Sequence, residues 1–129
     1  MDGVIRKEQI CKRSLQDLNV VPKIWGYEKW LENNAKYCCK LLSVNKGFQS
    51  SLHYHKIKDE MFLIIKGCIR LELQNKIIPL QEGDFIRILS NALHRFTAVE
   101  NSELIEVSTH HDDEDCYRLE PSMKCAVRK

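Results

Sequence analysis

The sequence predicts an all-β domain, an antiparallel sandwich or barrel, and three observations carry that expectation. From Tyr37 onward, short apolar or alternating runs recur between clusters rich in Asn, Gly, Asp and Ser. No long helical stripe separates them, which favours antiparallel neighbours over crossover connections. The chain of 129 residues is one domain's worth of sequence, enough for a real core and short for two.

In chain order, residues 1–19 mix Ile5, Ile10, Leu15 and Leu18 with Arg6, Lys7, Lys12 and Arg13, a poor helical stripe. They read as an N-terminal arm, partly ordered or packed as a strand on a neighbouring subunit. Without interleaved aromatic residues the basic positions do not form a nucleic-acid patch. Residues 20–120 hold the domain and residues 121–129 a C-terminal tail. In the run from Val20 to Trp30, large aromatic residues surround Gly26. They either cap the open end of a barrel or bind a ligand.

Asn33 and Asn34 mark a turn, and Tyr37 to Val44 follows as an apolar strand interrupted by Lys40. Met61 to Ile65 is continuous and apolar, as expected of a strand buried on both faces, and Gly67 permits a sharp turn after it. Ile69, Leu71 and Leu73 then alternate with Arg70, Glu72 and Gln74, the pattern of a strand with one wet face. Turns at 74–76 and 81–84 bracket a short strand over 77–80. Strands over 85–89, 94–99 and 103–108 complete the set. In the last of these Glu106 shares a face with Leu104 and Ser108, and periodicity leaves open whether that face meets solvent or the lumen.

Composition narrows the function classes. A formal net charge of +2 is nearly neutral, so neither nucleic acid nor an anionic membrane is indicated as a partner. No apolar run approaches a membrane span, and the first residues lack a secretory pattern, so the expected location is cytoplasmic. The six cysteines, Cys11, Cys38, Cys39, Cys68, Cys116 and Cys125, show no C-x-x-C spacing and are expected as free thiols. Contiguous His110, His111, Asp112, Asp113, Glu114 and Asp115 resemble a ligand cluster, but a charge run without alternation reads as a solvated loop.

The most informative stretch runs from Gly47 to Gly67. If Ser51 to His55 is extended, a period of two puts His53 and His55 on one face, and Glu60 returns beside them after a short loop. His94, at the start of a later strand, completes three imidazoles and a carboxylate. That donor set suits one divalent transition metal, Zn, Mn, Fe, Co or Ni.

The spacing also resembles a known family. Gly47, five residues, His53-x-His55, four residues, Glu60, six residues and Gly67 match the first cupin motif, and Gly83 with His94 matches the outer residues of the second. Leu89 and Asn91 stand where that second motif often has Pro and Gly; Asn tolerates the left-handed conformation the turn needs. The resemblance implies a cupin jelly-roll barrel, an antiparallel double-stranded β-helix, with the metal held by His53, His55, Glu60 and His94. It also implies a homodimer.

A narrower resemblance, to mannose-6-phosphate isomerase-like cupins, rests on Trp25-Gly26-Tyr27-Glu28, Lys40-Leu41-Leu42, Leu104 to Thr109 and Arg118-Leu119-Glu120. A Tyr-Gly-Arg sequence common in those proteins is replaced here by Pro121-Ser122-Met123. This resemblance implies aldose–ketose isomerisation of a sugar or sugar phosphate, with Glu106 as the base and Lys40 as a second catalytic group. Arg118 and Trp25 would contact substrate, while Arg87 reads as a solvent-facing charge. The alternatives are a metal-dependent dioxygenase, a non-catalytic sugar-binding cupin, and a sugar epimerase as a near neighbour of the first reading.

Overall fold

The computed structural model describes residues 11–125. The first ten residues of the arm, Ile5 and Ile10 among them, lie outside that range. Arg13 anchors the rest of the arm to β2 (Gly26–Asn33), through Glu32 at 2.9 Å and the Leu31 carbonyl at 2.8 Å. Thirteen strands are present, with no α-helix among the described residues. They are β1 (Val20–Lys23), β2, β3 (Cys38–Val44), β4 (Phe48–Gln49), β5 (Leu52–Tyr54), β6 (Glu60–Lys66) and β7 (Cys68–Leu73). After these come β8 (Lys76–Gln81), β9 (Phe85–Ile88), β10 (His94–Ala98), β11 (Ser102–Ser108), β12 (Tyr117–Glu120) and β13 (Met123–Lys124).

One sheet has the order β1-β2-β3-β11-β6-β9. In the other, β10 lies between β7 on one side and the short pair β4 and β5 on the other; β8 extends beyond β7, and β13 and β12 flank β4 and β5. Both are antiparallel, as a chain of turn-linked strands requires. The two sheets enclose one core, and the fold is the jelly-roll barrel expected from the sequence. The strand β13, paired with β4, falls in the segment read as a tail.

The inward face of the six-stranded sheet changes character along its length. Leu42, Leu104 and Ile64 lie in register in one row and are buried. They join Ile69, Leu71 and Phe96 in the apolar core. Each such side chain contributes about 1.5–3 kcal/mol by leaving water. One row further on, Lys40 pairs with Glu106, and in the next Cys38 and Glu60 flank Ser108. The same alternation therefore carries the interior from a dry end to a polar one.

That arrangement settles the face of Glu106. It is 5% exposed, whereas Val107 beside it is 41% exposed, so the carboxylate points into the barrel and the apolar side chain out. The expectation for Met61 to Ile65 needs correction for a related reason. Phe62 and Ile64 are buried, but Met61 and Leu63 are half-buried and Ile65 is 42% exposed, because only one face of this sheet is covered by the other.

Val20 to Trp30, the run read as either a barrel cap or a ligand-binding segment, lies in the hairpin β1–β2 at one edge of the six-stranded sheet. Gly26 permits it: its φ is +148°, and a Cβ there would clash with the Ser43 carbonyl oxygen. Asn91 takes the left-handed conformation, φ +68°, and donates its amide to the His55 carbonyl at 2.6 Å. The turn before His94 thus survives the replacement of glycine by asparagine.

Candidate metal centre

β5 and β10 pair through His94 and His53, and β6 begins with Glu60, so the polar end of the barrel gathers residues far apart in the chain. One ligand atom from each of His53, His55, Glu60 and His94 lies within 4.8 Å of every other. His55, Glu60 and His94 are buried and His53 half-buried.

Each ring is oriented by a backbone carbonyl. His53 Nδ1 donates to Ser51 O at 2.9 Å, His55 Nδ1 to Asp115 O at 2.7 Å, and His94 Nδ1 to Ala92 O at 2.8 Å. A carbonyl only accepts, so Nδ1 carries the proton and, in the neutral ring, Nε2 offers its lone pair to the centre. Burial, followed by the neighbouring His94, lowers His53 to about 3 and so keeps its ring neutral.

The Glu60 carboxylate meets these lone pairs directly. Its Oε1 lies 2.8 Å from His94 Nε2, yet both Glu60 oxygens and His94 Nε2 are buried without a hydrogen-bond partner. Two lone pairs facing each other at that distance, away from water, require a cation or a shared proton. The donor set therefore fits a divalent metal. His53, His55, Glu60 and His94 form a group able to hold one, with each imidazole backed by a second interaction of the kind that fixes metal-binding histidines.

A cavity of ≈ 610 Å³, its open mouth included, leads to this group. Glu106, Lys40, Trp25 and Arg118, singled out from the sequence, all line it. Lys40 is buried, with Nζ 4.1 Å from the Trp30 ring centroid and 3.8 Å from Glu28 Oε1. Trp25 stands edge-on to Phe96 at 5.3 Å, serving core and cavity wall at once. Arg118, on β12 beside His53, is exposed at the cavity edge. Arg87 stays outside, paired with Asp59 at 2.6 Å.

Lys58 is the principal residue that sequence reading missed. Its buried Nζ lies 2.7 Å from Glu106 Oε2 and 3.2 Å from Glu60 Oε2. Burial disfavours the ammonium, but the two carboxylates outweigh that and raise it well above the usual lysine range. Burial conversely raises Glu106, reinforced by Glu60 and opposed by Lys58 and Lys40. A signal existed, because Lys58 is two residues before Glu60 and extended spacing puts both on one face.

The reading of residues 110–115 as a solvated loop is corrected in part. Asp112, Asp113 and Glu114 are exposed, but Asp115 is buried and His111 half-buried against the cavity. Long-range contacts hold them: Asn33 donates Nδ2 to the His111 carbonyl at 3.1 Å and accepts the His111 amide at 2.9 Å. The six cysteines are free thiols, as expected.

Known proteins resemble this chain in sequence or in fold. The curated mannose-1-phosphate guanylyltransferase of Sinorhizobium fredii (strain NBRC 101917 / NGR234) is 28% identical over 87 residues, 66% of this chain and 17% of that protein. This chain thus spans less than a fifth of that relative's length. Among solved structures, KdgF from Halomonas sp. aligns with a TM-score of 0.71 at 17% identity, covering 77% of this chain and 92% of that one. A Streptomyces PAC13 variant with uridine aligns at 0.77 and 11% identity, covering 91% and 93%. Oxalate decarboxylase from Bacillus subtilis aligns at 0.72 and 18%, covering 83% and 31%. At these identities the structural likenesses concern the fold. The family model described as Cupin domain matches residues 40–110, more than half of the chain. With its two-sheet barrel and its His-His-Glu-His group, the chain belongs to the cupin domain family.

Proposed function

We propose that this cupin is a metal-dependent aldose–ketose isomerase acting on a sugar or sugar phosphate. The observation that carries the reading is a second carboxylate, Glu106, buried in the same cavity as the ligand group and linked to it through Lys58. A divalent metal held by His53, His55, Glu60 and His94 would supply Lewis acidity toward the substrate's carbonyl and hydroxyl oxygens. Glu106 takes the proton from C2 of the open-chain sugar and returns it to C1. Its burial suits it to that task, since a desolvated carboxylate is a stronger base than one in water. Lys58 holds the base in place, and the neighbouring metal ligand Glu60 is the poorer candidate because ligation lowers its basicity.

Lys40 and Arg118 meet hydroxyl or phosphate oxygens from opposite walls, and Trp25 provides an apolar surface for the ring carbons. The curated relative's name refers to a sugar phosphate, which supports that substrate class. Leu41, Ile105, Leu63 and Phe85 form a row across the outer face of the six-stranded sheet, consistent with the homodimer expected from the sequence. Light scattering of the purified protein tests that state.

The functional test is elemental analysis of purified protein, followed on the same sample by C2 proton exchange in deuterated water over a panel of aldoses and their phosphates. One bound divalent metal with exchange on one sugar is expected, and Glu106→Gln should abolish exchange while retaining metal. Metal without exchange on any sugar would overturn the isomerase reading, in favour of a dioxygenase if the metal is iron and a sugar-binding module otherwise.

A further inference from the structure

The loop joining two members of the metal group has three of its four amides held by one distant side chain, the fourth, Asp59 N, donating to Thr109 Oγ1 at 3.1 Å. His55 and Glu60 are separated by four residues, and three consecutive amides in that interval converge on the Asp115 carboxylate. Lys56 N donates to Oδ1 at 2.9 Å, Lys58 N to Oδ2 at 2.9 Å, and Ile57 N to both oxygens at 3.2 Å. The backbone carbonyl of the same residue accepts from His55 Nδ1 at 2.7 Å. Asp115 is only 8% exposed, so this clamp is formed largely out of water.

The clamp is itself braced. The Asp112 side chain accepts the Glu114 amide at 2.9 Å, and the Asp115 amide donates to Asp112 O at 2.9 Å, closing the short 3-10 turn that presents Asp115. Asp115 is not a metal ligand in this arrangement, since both of its carboxylate oxygens are spent on amides. What it controls is geometry: the loop contacts set the span from His55 to Glu60, and the carbonyl sets the plane and tautomer of the His55 ring.

We propose that Asp115 is a positioning residue of the metal group, fixing the His55–Glu60 loop and the His55 ring together so that the groups at the two ends of this loop meet one ion. The inference rests on the metal reading above, but not on the isomerase activity. Its functional consequence is that the segment following β11, which contributes no ligand, governs metal affinity. Three peptide dipoles on one carboxylate form an anchor that an uncharged side chain reproduces only in part.

The test is metal affinity measured without any substrate. Metal-free protein is titrated with Co(II) in competition with a chromophoric chelator, and the visible spectrum of the loaded protein is recorded. Asp115→Ala is expected to weaken Co(II) binding by tenfold or more and to alter the ligand-field bands. Asp115→Asn, which keeps one acceptor, should lie between it and wild type, and serves alone if the alanine variant does not fold. Glu114→Ala, exposed on the same turn, should bind within about twofold of wild type. Amide exchange at residues 56–58 should accelerate in the Asp115 variants and not in Glu114→Ala. A folded Asp115 variant with wild-type affinity and spectrum would overturn this proposal alone. Failure of the wild-type protein to bind Co(II) would overturn the metal reading and this proposal with it.

Discussion

Replacing Lys58 by Met tests the electrostatics of the barrel interior most directly. The ammonium lies 2.7 Å from Glu106 and 3.2 Å from Glu60, and all three side chains are buried. At an effective dielectric constant of ~20, each contact is worth about 5–6 kcal/mol before desolvation is counted. Desolvation of the three charges offsets most of this. Removing the cation while leaving the carboxylates buried should still cost about 3–5 kcal/mol.

Lys58 is held above the usual lysine range, so its contribution is fully present below the unfolded value and is lost only as the pH rises through the folded one. The loss in Lys58→Met should therefore be nearly constant between about pH 6 and 9. For a chain of 129 residues, it corresponds to a fall in Tm of roughly 10–20 °C. The assay is thermal unfolding in chelator, monitored by circular dichroism. Repeating it with a saturating divalent metal should recover part of the loss, because a metal would neutralise Glu60 in place of the lysine. An unchanged Tm in chelator would refute the reasoning, since it would mean that the two carboxylates do not need this cation.

The same geometry sets three other outcomes. His53→Ala combined with His94→Ala should reduce bound metal from one equivalent to none by elemental analysis, and retention of one equivalent would remove these residues as ligands. Asn91→Ala should cost about 1 kcal/mol in denaturant unfolding while Asn91→Gly is nearly neutral, because position 91 has φ +68°; equal losses would contradict that cause. Burial, then Lys40 and Lys58, lower His111, with Asp113 opposing them. Its neutral ring therefore contributes stability that is present above about pH 6.5 and is lost as the pH falls through its folded value. An NMR titration of the His111 ring should give a midpoint below about 6.5, and a higher midpoint would contradict the effect of its surroundings.

The sequence by itself made most of the strands and the His-His-Glu-His group legible, because alternation and motif spacing are read along the chain. Alternation over Ile69 to Gln74 placed one face of β7 in the core, and the spacing from His53 to Glu60 put three donors within a single turn-linked unit. His94 was legible only through the spacing of a second motif, and β10 brings it opposite His53. The hairpin β1–β2 was obscured because its aromatic run lacks clean alternation and its bend depends on close approach of Gly26 to Ser43.

Tertiary structure alone decided which polar face turned inward. In β11, alternation distinguished Glu106 from Val107 but not lumen from solvent; the register with Lys40 and the adjoining Lys58 decided it, because a buried carboxylate needs cationic company. The clamp by Asp115 lies still further from local inference. It joins residues about sixty positions apart through backbone amides, and amides carry no side-chain signature in a sequence. Periodicity reports which side chains share a face, whereas the pairing of that face with distant groups is settled only when the sheets close around a common interior.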